Sequence, residues 1–280
     1  MTGEWDAWIG RSETRTDTVD PVRLAKWLAT FDREAPSDGT APQGFHWCLC
    51  TPDEPTGALD ADGHPRRGEG EGFLPPIPLA RRMWAASALE FHAPLRIGHP
   101  VERRSTIRSI ASKAGASGEL VFVEIEHEVR SAGQMAIRER QALVYRCVTQ
   151  VGPARNPQTR THEVPGTIQR IVTPSAPLLF RFSALTFNSH RIHYDLPYAT
   201  EVEGYPGLVV HGPLTATLLM DLVRRDHGDH ALIAFEFRGV SPALVDEPLS
   251  LRLDRVDDRI RLSATAGEDR IVMEASGRLG

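Results

Sequence analysis

The sequence predicts an α+β protein of two similar halves, each an antiparallel sheet wrapped on one long helix, packed as a pseudo-dimer within one chain. Three observations lead there. Strand-like runs occur in both halves, at 119–129 and 135–145, then at 231–237, 249–255, 259–264 and 271–279. Helix patterns precede the strands in each half. Finally, 93–101 (A-P-L-R-I-G-H-P-V) and 241–249 (S-P-A-L-V-D-E-P-L) share both proline positions at an offset of 148 residues, a weak internal repeat.

Each element has a local cause. Residues 21–33 place Leu24, Trp27, Leu28 and Phe31 at helical spacing, with Asp20 as cap and Pro21 at the first helical position. Residues 51–72 are rich in Pro, Gly, Asp and Glu and read as a long loop. Its G-E-G-E-G run at 68–72 lacks the Lys-Ser/Thr of a phosphate loop, and its glutamates repel phosphate. Met83 to Phe91 is apolar, and 131–133 makes a tight turn between two strands. Five prolines punctuate 149–177, which suits a linker between a half at 1–148 and a half at 178–280. The apolar run 178–187 reads as strand-like. A buried helix over about 213–225 follows, with Pro213 near its start.

Composition narrows the function classes. The 280 residues are 41% hydrophobic and 25% charged, as in ordinary globular proteins. A formal charge of −5 gives no electrostatic reason to expect nucleic-acid binding. No run approaches the length of a membrane span, and the N-terminus lacks a signal-peptide pattern, so no membrane partner and a cytoplasmic location are expected. Cys48, Cys50 and Cys147 are too few for a disulfide scaffold. H-x-C-x-C at 46–50 lacks the second cluster of a closed zinc site, and the cysteines are read as buried packing residues.

Chemistry concentrates at 182–195, F-S-A-L-T-F-N-S-H-R-I-H-Y-D. Asn188, His190, His193 and Asp195 fall within eight residues, followed by L-V-V-H-G-P-L at 208–214, the entry to the buried helix. A helix N-terminus offers unpaired N–H groups to a developing oxyanion. His193 can exchange a proton near neutral pH. Gly212 is the candidate oxyanion donor, because Pro213 has no N–H. Asn188 cannot act as a base but can position water. At odd separation, Asn188 and His193 share a site only if 188–195 turns rather than runs as a strand. Asp195 is a second acid/base or the partner that orients His193. His190 and His193 at i, i+3 could share a metal, but no third ligand is evident, and no metal is expected. His211 either packs at the helix entry or touches substrate.

These strings resemble the MaoC-like hot-dog hydratases, specifically the hydroxyacyl-thioester dehydratase type 2 and mesaconyl-CoA hydratase branch. The general D-x-N-P-x-H pattern falls on Asn188 to His193: the spacing and the final His are kept, while Asn188 stands where the acid would be. G-Y-P-G-L-V-V-H-G-P-L at 204–214 and P-L-A-R-R-M-W at 78–84 are similar to the same branch. The resemblance spans nearly the whole chain. It implies a double hot-dog fold with one working site that adds water reversibly across the double bond of an α,β-unsaturated acyl thioester. The branch implies a short dicarboxylic acyl-CoA of the mesaconyl, itaconyl or methylmalyl type, with no cofactor beyond the CoA of the substrate. Arg81, Arg82 and Trp84 either hold the phosphates and adenine of CoA or form a solvated face with a core tryptophan. A hot-dog thioesterase and a non-catalytic acyl-CoA binding protein are the rival readings. A homodimer of fused pairs is a reasonable assembly.

Overall fold

A computed structural model describes residues 4–66, 72–115, 118–147 and 167–280. In chain order the elements are β1 (Ser12–Thr18), α1 (Pro21–Thr30), β2 (Thr40–Ala41), β3 (Arg81–Phe91), β4 (Leu95–Arg96), β5 (Pro100–Gly115), β6 (Gly118–Ser131) and β7 (Gln134–Arg146). After these come β8 (Ile168–Val172), α2 (Ala176–Thr186), α3 (Gly212–His227), β9 (Leu232–Gly239), β10 (Leu249–Val256), β11 (Arg259–Ala266) and β12 (Arg270–Leu279). Ten strands form one antiparallel sheet in the order β1-β5-β6-β7-β3-β9-β12-β11-β10-β8; β2 and β4 pair separately.

The sheet order is a mirror image about the β3–β9 junction. There Ala88 pairs with Glu236, flanked by Ala86 with Arg238 and Glu90 with Ala234. Ala88 and Glu236 are separated by the same 148 residues as the sequence repeat, so the pseudo-twofold passes through this pair. The repeated segments also do equivalent work: each leads into a long strand, ending on Val101 in β5 and Leu249 in β10, both buried. The double hot-dog arrangement is therefore present, with the two sheets fused edge to edge.

Local chemistry sets the elements. Asp20 accepts the Arg23 N–H at 2.7 Å and caps α1. A two-residue loop joins β6 to β7, with Ala132 and Gly133 both at positive φ, the geometry that matches strand twist. In α3, Leu214, Leu218, Leu219, Leu222 and Val223 are buried in the main core. Truncating one of these leucines to alanine costs about 2–5 kcal/mol. Asp221, buried on the same helix, is met by Arg33, Arg170 and Arg225.

Three expectations change. The helix expected at 21–33 is present as α1, but it packs on α2; among the described residues the helix held against the sheet is α3, of the second half. In the first half Ile77 and Leu79 pack with Ile107, Val121, Val123, Ile125, Leu143 and Tyr145 in a second core. The Pro- and Gly-rich loop of that half could not have supported a helix. The run 178–187 is not strand-like: it is α2, capped by Ser175 and ended by Phe187 in the left-handed conformation. An apolar run of that length carries no period to separate helix from strand. The linker placed at 149–177 lies outside the described residues as far as 166, and its last part folds as β8 and the start of α2. The Gly-Glu run at 68–72 also lies outside them, apart from Gly72. Cys48 and Cys50 are buried free thiols, and burial pushes Cys48 up to about 12.

Candidate active site

The site is built where α2 ends and α3 begins. Ser183 O accepts the N–H groups of Phe187 and Asn188, which closes α2 and turns the chain. A single 3-10 turn, Arg191–His193, follows, so Asn188 and His193 reach one cavity despite their odd separation. The segment before α3 is stitched to this turn: Val209 N–H donates to Ile192 O at 2.9 Å. His193 Nδ1 lies 2.7 Å from Val209 O. That contact puts the proton on Nδ1 and leaves Nε2 as the basic nitrogen.

The cavity measures about 1210 Å³, above the roughly 300–1,000 Å³ of ordinary small-molecule sites. Asn188, His190, His193, His211 and Gly212 all line it. The His193 ring stacks on His211 at 3.5 Å, and His211 Nε2 is 2.8 Å from Ser183 Oγ. Burial lowers His193 to about 4, aided by the charge of His64 and opposed by the Val209 carbonyl. Burial, then the neighbouring His193, holds His211 well below its ordinary value. Both rings are neutral at pH 7.

A loop of the first half closes over this turn. Asp62 O accepts the Arg191 N–H, Ala61 O accepts from Arg191 Nη1, and Gly63 O accepts from Ser189 Oγ. Gly63, at φ +89°, approaches Ser189 so closely that a Cβ would overlap its carbonyl. The loop carries Asp62 and His64, whose Oδ2 and Nδ1 lie 2.9 Å apart, and the His64 ring sits 4.1 Å from that of His190. Among the described residues, Asp62, His64 and His190 are the one acid, His and Cys group whose donor atoms gather within 4.8 Å of one another.

The family model for hydroxyacyl-thioester dehydratase type 2 matches residues 44–245, which include Asp62, His64, Asn188, His190, His193, His211 and Gly212. The chain belongs to that family. It is 43% identical to the mesaconyl-C(4)-CoA hydratase of Chloroflexus aurantiacus over 100% of this chain and 99% of that one. Among solved structures, a MaoC-like dehydratase from Phytophthora capsici superposes with a TM-score of 0.73 at 13% identity, covering 97% of this chain and 96% of its own. A conserved Mycobacterium tuberculosis protein described as a double hot-dog gives 0.63 at 12%, covering 97% and 96%. At those identities the two structures speak for the fold alone.

Within this dehydratase-family site some expected roles change. Asn188 Oδ1 already accepts the His190 N–H at 3.0 Å, so it presents one remaining lone pair and its NH₂. Asp195 does not orient His193 and does not line the cavity. Its Oδ2 takes Arg191 at 2.7 and 2.9 Å, and its Oδ1 takes the Tyr198 N–H. The Arg191 hydrogen bond holds the Asp195 carboxyl below its usual range. The orienting group for His193 is a backbone carbonyl, which no side-chain motif reveals.

Arg81 is buried against Glu203 at 2.7 Å and lies over Tyr205 at 5.2 Å, so it is not offered to CoA phosphates. Trp84 spends its N–H on Ser87 and packs edge-on against Trp47, with a face to the cavity. Of this trio Arg82 is the half-buried cation that lines the cavity, and its charge reaches His190. Sequence reasoning missed Asp62 and His64. Their D-x-H spacing in a polar loop was the sole cue, and it is too common to single out.

Proposed function

We propose that the protein hydrates, and in reverse dehydrates, the double bond of an α,β-unsaturated acyl-CoA, with a short dicarboxylic acyl group of the mesaconyl type as substrate. The observation that carries this reading is that His193, Asn188 and the α3 N-terminus at Gly212 share one cavity. Full-length similarity to a mesaconyl-C(4)-CoA hydratase supports the acyl class.

The geometry suits the reaction. His193 Nε2 takes a proton from water positioned by Asn188, and the oxygen adds to Cβ. Negative charge moves to the thioester oxygen, where the Gly212 N–H and the positive end of α3 stabilise it. A donor so placed is worth about 3 kcal/mol in the barrier. A proton then reaches Cα. The cavity is large enough for an acyl group with its pantetheine arm, and Arg82 supports binding of an anionic part of the substrate. Every acid–base group comes from a side chain, so the proposal calls for no cofactor. Pairing into a homodimer belongs to assembly, because all these residues come from one chain.

Among the described residues no helix is long and apolar enough to cross a membrane. A cytoplasmic location is part of the proposal, supported by the free thiols Cys48 and Cys50. The test is incubation with mesaconyl-CoA and a panel of enoyl-CoA esters, followed by mass detection. Gain of one water with the thioester intact supports the reading. Release of free CoA without hydration replaces it with thioesterase activity.

A further inference from the structure

Arg82 is a cation without a counter-ion inside the catalytic cavity. It is half-buried and lines that cavity, and among the described residues no carboxylate, carbonyl or aromatic ring meets its guanidinium. Glu203 and Asp62, two acids of the same cavity, are engaged by Arg81 and His64. A cation half withdrawn from water with no counter-ion loses solvation that a bound anion restores.

The strand places this charge beside the reaction centre. β3 runs past the start of α3: Trp84 O lies 3.7 Å from the point where a Cβ on Gly212 would stand, and Arg81 reaches Glu203, just before the 204–214 segment. Arg82 is thus bracketed by two contacts to the stretch that supplies the oxyanion donor. Two residues of strand, about 7 Å, separate Arg82 from Trp84, and their side chains share one face of the sheet. It is the face that their β7 partners Tyr145 and Leu143 turn to the second core. The charge of Arg82 is also felt at His190, whose ring is 5.5 Å from that of His193.

The other arginines of the cavity are less suited. Arg15 is held by Asp53 and Glu54, and Arg81 by Glu203. Arg103 gives Nη2 to Cys50 O, on the side of β1. Arg146 meets no described partner either, but it stands on β7, one strand further from Gly212.

We propose that Arg82 is the specificity-determining residue of the site: it binds a free carboxylate carried on Cβ of the substrate, and so selects an enedioic monothioester over a simple enoyl thioester. The proposal rests on the hydration reading above and narrows it. In either monothioester of mesaconic acid the free carboxylate is bonded to Cβ, the carbon that water attacks. The group that holds it therefore has to adjoin His193 and Asn188, as a side chain projecting from beside Gly212 does. A guanidinium presents two parallel N–H donors to a carboxylate. Paired in this way, the carboxylate repels the incoming oxygen less, and the planar fork fixes which face of the double bond is turned to the water. A CoA phosphate on Arg82 would leave the acyl carboxylate without this cation.

The test compares wild type, Arg82→Gln and Arg82→Lys on mesaconyl-CoA and on mesaconyl-pantetheine, which lacks every CoA phosphate. Crotonyl-CoA, which keeps the CoA and lacks the carboxylate, serves as a competing ligand. We expect Arg82→Gln to lower kcat/KM about 100-fold or more on both mesaconyl thioesters, the scale of losing one partner of a charge pair, with Arg82→Lys retaining part of the rate. The inhibition constant of crotonyl-CoA should stay within about twofold, because no partner of Arg82 is lost. Arg82 makes no described hydrogen bond in the fold, so both variants should melt with the wild type. An unchanged kcat/KM in Arg82→Gln overturns the proposal. So does a loss confined to mesaconyl-CoA and absent with the pantetheine thioester, or an equal weakening of crotonyl-CoA, because Arg82 would then serve a CoA phosphate. Absence of wild-type hydration across the enoyl-CoA panel overturns the functional reading instead.

Discussion

The rings of His193 and His211 lie 20° from parallel with centroids 3.5 Å apart. Two buried imidazoles in that contact cannot both carry charge, so the stack keeps His193 a neutral base and fixes its plane. Ser183, from α2, anchors the far side of His211. We expect His211→Ala to lower kcat about 10–100-fold through misplacement of His193, whereas His211→Phe, which keeps a flat ring, retains most of the rate. Steady-state kinetics on mesaconyl-CoA checks this; equal losses in both variants would show that the stack is not what matters.

Asn188 joins two functions, because its side chain holds the 188–190 turn and faces the cavity. Asn188→Ala should lower kcat by about 100-fold while costing about 1 kcal/mol of stability, the worth of one hydrogen bond. Turnover and thermal unfolding measured together separate the two effects. An unchanged rate would remove Asn188 from the site.

Gly63→Ala tests how closely the loop docks. At φ +89° and against the Ser189 carbonyl, no side chain fits without displacing residues 60–66. Turnover should fall about 10-fold or more with the melting of the main core nearly unchanged, because the α3 core lies elsewhere. Wild-type kinetics in Gly63→Ala would mean that the loop can shift without consequence.

Stability should depend on pH in a defined direction. Burial lowers both His193 and His127 to about 4, while an unfolded-chain imidazole titrates near about 6.5. The unfolded state therefore binds more protons between those values. Each ring contributes about 3 kcal/mol that is complete above about pH 6.5 and is lost as pH falls toward 4. His190 and His211, also lowered by burial, act in the same direction. Glu139 adds a loss at lower pH: burial acts to raise it, but the bond and charge of His46 outweigh that and hold it at about 2. Urea unfolding from about pH 7.5 to 4.5 should show stability falling steeply below about pH 6.5. A flat profile would contradict the burial of neutral rings.

The parts legible in the sequence were those with a local cause. The cap at Asp20, the strand alternation of β6 and β7, and the Pro213 entry to α3 all act within a few residues. The proline repeat at 93–101 and 241–249 has the same 148-residue offset as the Ala88–Glu236 pair, a register that the sequence reading did not draw from it. The stretch holding Asn188, His190 and His193 was visible because the chemistry is compressed into one turn. What could not be read came from distant contacts. The Val209 carbonyl replaced Asp195 as the orienting group of His193, Glu203 captured Arg81, and the loop carrying Asp62 and His64 folded onto a turn more than a hundred residues downstream. No periodicity or spacing encodes such a docking.

The central claim is that His193 moves the proton when water adds to an unsaturated acyl thioester. The direct measurement is turnover of mesaconyl-CoA in ¹⁸O-labelled water by the wild type and by folded His193→Ala. The account predicts an intact thioester carrying one labelled hydroxyl in the wild type, and at least about a 100-fold lower rate in the variant. Undiminished label incorporation by folded His193→Ala would contradict it.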